Sequence, residues 1–131
     1  MFLEKLFLQY LIHPQLVKLK MSFQDESHFF LVLELIEGKN FGKALQQRDY
    51  SNEEIVNYLV QINWVLSFIH KKGVVHRDVK FENFIECNGK LTLIDFDSAS
   101  IFDEEKAAAI LPQYQAIQAK FFSLYQKQSP M

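Results

Sequence analysis

The chain has 131 residues, 14 Lys+Arg against 16 Asp+Glu, a formal net charge of −2 and a hydrophobic fraction of 49%. That is enough apolar material for one packed domain, and the lack of a basic excess argues against a nucleic-acid footprint or a polybasic membrane patch. The single cysteine, Cys87, excludes an intramolecular disulfide framework and a multi-cysteine zinc site; it suits a reducing compartment and reads as a small apolar strand residue.

Leu3, Leu6, Phe7, Tyr10 and Leu11 recur at helical spacing and predict a first helix, stopped at His13-Pro14 because the residue before proline is pushed out of the helical region. Glu4 and Lys5, with no small-residue cleavage pattern behind them, separate this stretch from a signal peptide. Leu16, Val17 and Leu19, then Phe29 to Leu35, predict two strands around a turn in the polar stretch Ser22 to His28. Phe41 to Gln47 predicts a short helix. Ser51 and Glu54 form a capping-box pattern, in which hydroxyl and carboxylate satisfy the first free N–H groups of a helix. The stripe Ile55, Tyr58, Leu59, Ile62, Leu66 and Ile69 follows, and Lys71-Lys72-Gly73 closes it with cations at the negative dipole end and a glycine. Val74-Val75 leads to a polar loop and two short strands, Phe84 to Cys87 and Leu91 to Ile94, joined at Asn88-Gly89, the preferred dipeptide of a two-residue hairpin. Ala107 to Leu111 and Ala116 to Tyr125 predict helical segments divided by Pro112. There are 13 Phe residues, several of which are expected to lie exposed. No apolar run approaches the ~20 residues of a membrane span, so the expectation is a soluble cytoplasmic or nuclear protein.

The densest chemistry lies in the stretch HRDVKFENFIECNGKLTLIDFD, residues 76–97. Asp95 and the Asn83 amide offer the oxygen ligands a hard cation such as magnesium prefers. Lys80 can neutralise charge on a phosphoryl group, and Asp78 can accept a hydroxyl proton. Taken singly, Asp and Asn are also common in turns; their order and spacing are what point to a site.

His76-Arg77-Asp78-Val79-Lys80-Phe81-Glu82-Asn83 resembles the catalytic loop of protein kinases, and Asp95-Phe96-Asp97 behind the hairpin resembles the metal-binding triplet of that family. Lys80, two residues past the Asp, is similar to the serine/threonine branch. The resemblance implies Asp78, Lys80 and Asn83 as catalytic residues, Asn83 and Asp95 as magnesium ligands, and Arg77 placed to meet an activation-loop phosphate. Upstream, His13 to Leu19 resembles the turn after the regulatory αC helix, with Glu4 at its ion-pairing position. Phe30 to Gly38 resembles the strand entering the hinge between lobes. This implies Leu33 as gatekeeper, the Glu34 carbonyl and Ile36 N–H at the adenine edge of ATP, Ile85 under the adenine ring, and Leu8, Leu19, His76 and Phe96 as a hydrophobic spine.

The resemblance implies an α+β, protein-kinase-like fold in truncated form: residues 1–36 from the small lobe and hinge, 37–131 from the start of the large lobe. The Gly-rich loop and the strand-borne Lys of the family are not expected within this chain, which leaves Glu4 as an exposed helix-start charge. Asp97 stands where the family has Gly, and Ile117 and Gln118 where it has the Pro and Glu that end the activation segment. The implied function is ATP- and Mg2+-dependent phosphoryl transfer to Ser/Thr of protein substrates in the complete form, impaired or absent in this chain. The alternative is a pseudokinase-like module that binds partners. Loss of apolar packing partners around the helix that starts at Asn52 predicts marginal stability, since each large apolar side chain left in water forgoes ~1.5 to 3 kcal/mol.

Overall fold

The computed structural model describes residues 2–128. The N-terminal apolar spacing closes into helix α1 (Phe2–Tyr10), which turns Phe7, Leu8 and Leu11 into the core. After the His13-Pro14 corner, Leu16 and Val17 do not belong to the first strand as expected. They run alongside a later strand: Val17 N–H donates to the Leu93 carbonyl at 3.1 Å, and Leu93 N–H donates to the Gln15 carbonyl at 2.8 Å. The first strand, β1, spans Leu19–Gln24 and pairs antiparallel with β2 (Phe29–Leu33). Ser22 to Gln24 thus lie in the strand, and the turn tightens to Asp25 through His28, whose backbone N–H groups at Ser27 and His28 donate to the Asp25 carboxylate at 2.9 and 2.6 Å. This local Asx-type bonding outweighs the polar composition that argued for a longer turn.

A short strand β3 (Lys39–Asn40) leads into α2 (Phe41–Gln47), capped by the Asn40 side chain, which accepts from Lys43 N–H. The long helix α3 (Asn52–Lys71) opens on the anticipated capping box, with Ser51 and Glu54 bonded reciprocally. Its buried face is Tyr58, Val65 and Ile69. Ile55 and Leu59, assigned to the buried stripe from spacing, are 42% and 55% exposed; α3 is apolar around more of its circumference than one neighbour covers. Gly73, at φ +82°, ends the helix where a Cβ would meet the Asp103 carbonyl at 2.5 Å.

Strand β4 (Val74–Val75) follows, then a turn of 3₁₀ helix at Phe81–Asn83, then the hairpin β5 (Phe84–Cys87) and β6 (Lys90–Leu93). Asn88 and Gly89 both take positive φ, 51° and 84°, as the type I′ turn requires. β3, β5 and β6 form one antiparallel sheet, and β4 pairs with β7 (Ser100–Ile101). Gln61 of α3 pins this hairpin from beneath: its Nε2 donates to the Gly89 carbonyl at 2.7 Å and its Oε1 accepts from Leu91 N–H at 2.8 Å.

Turns at Ala107 and Ile110 precede the last helix, α4 (Leu111–Gln128). Pro112 therefore does not divide two helices; it sits in the first turn of one, where its missing N–H would have had no partner. The α4 helix packs on α1 through Tyr114, whose ring lies 5.9 Å from that of Phe7. The molecule is a small α+β domain with four helices and small antiparallel sheets among the described residues.

Candidate active site

The loop between β4 and the 3₁₀ turn cannot form a ladder, so its backbone groups are satisfied by side chains. The His76 Nδ1 accepts the Asp78 N–H at 3.1 Å, and its Nε2 hydrogen-bonds the Asp95 carbonyl. A ring that is 1% exposed thereby ties the loop to the start of the Asp95-Phe96-Asp97 triplet. Burial lowers the His76 pKa, which keeps the ring neutral with Nδ1 as acceptor and Nε2 as donor. His76 also meets Phe96 at 5.1 Å, edge to face. Leu8 and Phe96 are buried beside it in the core, and Leu19, opposite Leu33 in the β1–β2 ladder, packs against it half-buried.

Asn83, 8% exposed, clasps the loop from the other side. Its Nδ2 donates to the Asp78 carbonyl at 2.7 Å and to Asp78 Oδ2 at 3.2 Å. Both bonds use the amide nitrogen, so the amide oxygen is left for another partner. Lys80 Nζ lies 3.9 Å from Asp78 Oδ2 with both groups about half exposed, an arrangement that positions the two without contributing much stability. Arg77 is exposed and holds φ 72°; a non-glycine residue in this region costs free energy and recurs at functional loops. Nothing in the sequence signalled that conformation.

Glu4 is the main correction. It is half-buried rather than an exposed helix-start charge, and its carboxylate joins those of Asp95 and Asp97 with ligand atoms within 4.8 Å of one another. Burial, then the charges of Asp95 and Asp97, push the Glu4 pKa up. Asp97 N–H in turn donates to Asp95 Oδ1 at 2.9 Å, which orients that carboxylate. Oxygen donors from Asp95, Asn83 and the neighbouring carboxylates match the chemistry of a hard divalent cation such as Mg2+.

Of the other implied residues, Glu34 and Ile36 follow β2 and Ile85 lies in β5. Glu34 and Ile36 line an open cavity of about 410 Å3 together with Cys87, Lys90 and Thr92. Glu34 is doubly tied to Lys18, by its own N–H to the Lys18 carbonyl at 2.9 Å and by its Oε1 to Lys18 N–H at 3.1 Å. Ile85 shares the β5 face with Cys87, two residues away, but does not line that cavity. Sequence reasoning also missed Tyr10, whose hydroxyl lies 3.2 Å from the carbonyls of both Lys72 and Lys106 and so links α1 to the end of α3 and to the segment before α4. Its position in an apolar helical stripe read as core alone.

Comparison with known proteins agrees with the local geometry. The family model of the protein kinase domain matches residues 1–120. Serine/threonine-protein kinase Nek3 of Mus musculus is 35% identical over 101 residues, 74% of this chain and 20% of that protein. The 3-phosphoinositide-dependent protein kinase 1 of Arabidopsis thaliana is 31% identical over 110 residues, 82% of this chain and 22% of that protein. Serine/threonine-protein kinase unc-51 of Caenorhabditis elegans is 35% identical over 119 residues, 79% of this chain and 14% of that protein. The chain thus spans about a fifth or less of the length of these relatives.

Proposed function

On the premise that this chain belongs to the protein kinase family, we propose that residues 76–97 form the base-and-metal half of a site for ATP-dependent phosphoryl transfer to Ser/Thr of protein substrates. The observation that carries this reading is the Asn83 clasp on Asp78, at 2.7 and 3.2 Å, on a loop that His76 ties to Asp95. Asp78 is the base for the substrate hydroxyl, and Lys80 beside it offsets charge on the transferring group. Asn83 and Asp95 would hold Mg2+, which supplies charge neutralisation at the phosphate oxygens. Glu34 and Ile36 would meet the adenine edge by their backbone, with Ile85 beneath the ring. By the same reading α1 is the regulatory helix, residues 1–36 belong to the small lobe and hinge, and residues from 37 onward to the large lobe.

Phosphate cover is the part this segment does not supply. The four glycines stand at 38, 42, 73 and 89, so no G-x-G-x-x-G run occurs in these 131 residues. Transfer from ATP to serine peptides by 1–131 alone is therefore expected to be undetectable, and metal binding is the primary test. Mn2+ titrated into the chain is expected to broaden the NMR signals of Asn83 and Asp95 before those of the exposed Glu104 and Glu105, and Asp95→Asn is expected to remove the effect. Uniform broadening of all exposed carboxylates would overturn the metal assignment. In a longer protein carrying this segment, Asp78→Asn is expected to lower transfer by roughly 10²- to 10⁴-fold.

One observation favours a second reading, a partner-binding module without catalysis. Asp97 adds a third carboxylate beside Glu4 and Asp95, which repels phosphate unless a cation intervenes. Absence of specific Mn2+ broadening in a folded chain would select this reading.

A further inference from the structure

Two imidazoles in this chain share one arrangement. The His76 Nδ1 accepts the N–H of the residue two positions on, Asp78, at 3.1 Å, and the His13 Nδ1 accepts that of Gln15 at the same distance. In each, Nδ1 keeps its lone pair and the neutral ring carries its proton on Nε2. They part at that second nitrogen. His76 Nε2 meets the Asp95 carbonyl, whereas His13 Nε2 has no hydrogen-bond partner among the described residues, although His13 is only 7% exposed.

We propose that His13 is a proton-operated latch: while neutral it seats the connection between α1 and β1 on α3, and its protonation releases that seat. The ring is wedged against Trp64, at 4.3 Å between centroids, and Phe68, at 4.8 Å. The Gln15 that it orients is the joint of this connection. Gln15 accepts from Leu93 N–H at 2.8 Å through its carbonyl and donates to Gln61 of α3 at 2.9 Å through its side chain. An imidazolium donates at both nitrogens, so it cannot accept from Gln15 N–H; the corner bond becomes a donor facing a donor, and a second buried N–H still lacks an acceptor.

Burial, more than the charges around the ring, decides the direction. A cavity of about 300 Å3 is lined by His13, Lys18, Glu34 and Lys90. The two lysines oppose a further positive charge. Glu34 favours it, but its Oε1 is engaged by Lys18 N–H at 3.1 Å. From α3 the ring faces Trp64 and Phe68, which carry no charge; they offer cation–π attraction but no acceptor for the lost corner bond. Burial accordingly lowers the His13 pKa. The unfolded chain takes up this proton first, so the latch is intact above pH of about 6.5 and weakens as pH falls toward the depressed folded value.

The chain has one tryptophan, and it is the residue against the latch. Emission of Trp64 in the full chain, followed from pH 8 to pH 5, is expected to change in one step with a midpoint below about 6.5, the ordinary imidazole value. His13→Asn is expected to abolish that step, because the amide oxygen can accept the Gln15 N–H as an Asx turn does but does not titrate. On unfolding near pH 6 the variant is expected to take up fewer protons than the wild type, by up to about one. Uptake by His76 is common to both and cancels in the difference. Carbon-13 NMR of the imidazoles in the unsubstituted chain reads His13 directly and needs no variant to fold. A His13 signal that titrates at or above about 6.5, or a Trp64 step that survives His13→Asn, overturns the proposal.

Discussion

Three carboxylates with ligand atoms within 4.8 Å cannot all ionise at ordinary cost in the absence of a cation, and the group that yields is the half-buried Glu4. Its raised pKa has burial as first cause and Asp95 and Asp97 behind it. Asp97→Gly is therefore expected to lower the Glu4 pKa without restoring the ordinary value, because the largest cause remains. Carbon-13 titration of the Glu4 carboxyl in metal-free buffer checks this, and no shift would mean that Asp97 points away in solution. A second prediction concerns the Asn83 clasp. Asn83→Ala leaves the Asp78 carbonyl without its buried donor, a loss of about 1 to 3 kcal/mol in chemical denaturation. Asp78, Asn83 and Asp95 could be picked out from residue order alone. The partnership of Glu4 with Asp95 and Asp97 could not, since it spans some ninety positions and depends on where α1 lands.

Helix and turn ends follow local rules, and their tests can be read against one another. The Ser51 cap predicts that Ser51→Ala loses roughly 0.5 to 2 kcal/mol. Its reciprocal partner Glu54 is held down to about 2, first by the Arg48 side chain at 2.9 Å and then by the Ser51 backbone. A carboxylate depressed in the folded state contributes stability that is complete above its unfolded pKa and is lost as pH falls through the folded one. The acid limb between pH of about 4.5 and 2 is thus expected to flatten in Glu54→Gln. The two positive-φ glycines at turns separate strain from clash. A Cβ at Gly89 meets nothing within 4 Å, so Gly89→Ala carries only the conformational penalty, roughly 1 to 2 kcal/mol. At Gly73 the added Cβ also meets Asp103 O at 2.5 Å and Ala107 N at 2.8 Å, so Gly73→Ala is expected to destabilise more. Equal midpoints for the two variants would contradict this. The caps, the hairpin turn and the short helix α2 were legible because each is encoded within about four residues. The placement of the first strand and the continuity of α4 through Pro112 were not, because Leu16 and Val17 choose the edge of β6 and a proline is equally at home at a break or in a first helical turn.

Across the whole molecule, the apolar surface is larger than a self-contained fold of this size needs. Val56, Leu59, Val60 and Trp64 on α3 are each more than half exposed, and Phe23 and Phe30 stack at 4.8 Å on the outside of the β1–β2 hairpin. Exposed apolar area of this kind promotes self-association. Val56→Lys with Val60→Lys is expected to raise the concentration at which the chain elutes as a single species, while moving the unfolding free energy by no more than ~0.5 kcal/mol per site, because neither side chain is buried. Light scattering checks the first and denaturant unfolding the second; a large loss of stability would show that this face is covered in solution.

The sequence by itself determined the family, the helix caps, the type I′ turn and the identity of the loop residues Asp78, Lys80, Asn83 and Asp95, because those features depend on residue type and short spacing. Only the tertiary structure decided which apolar positions of α3 are buried, that Glu4 shares a site with Asp95 and Asp97, and that His13 sits sealed between Trp64 and Phe68. Those outcomes turn on which distant surfaces meet, and burial and pairing set both the cost of a charge and its pKa.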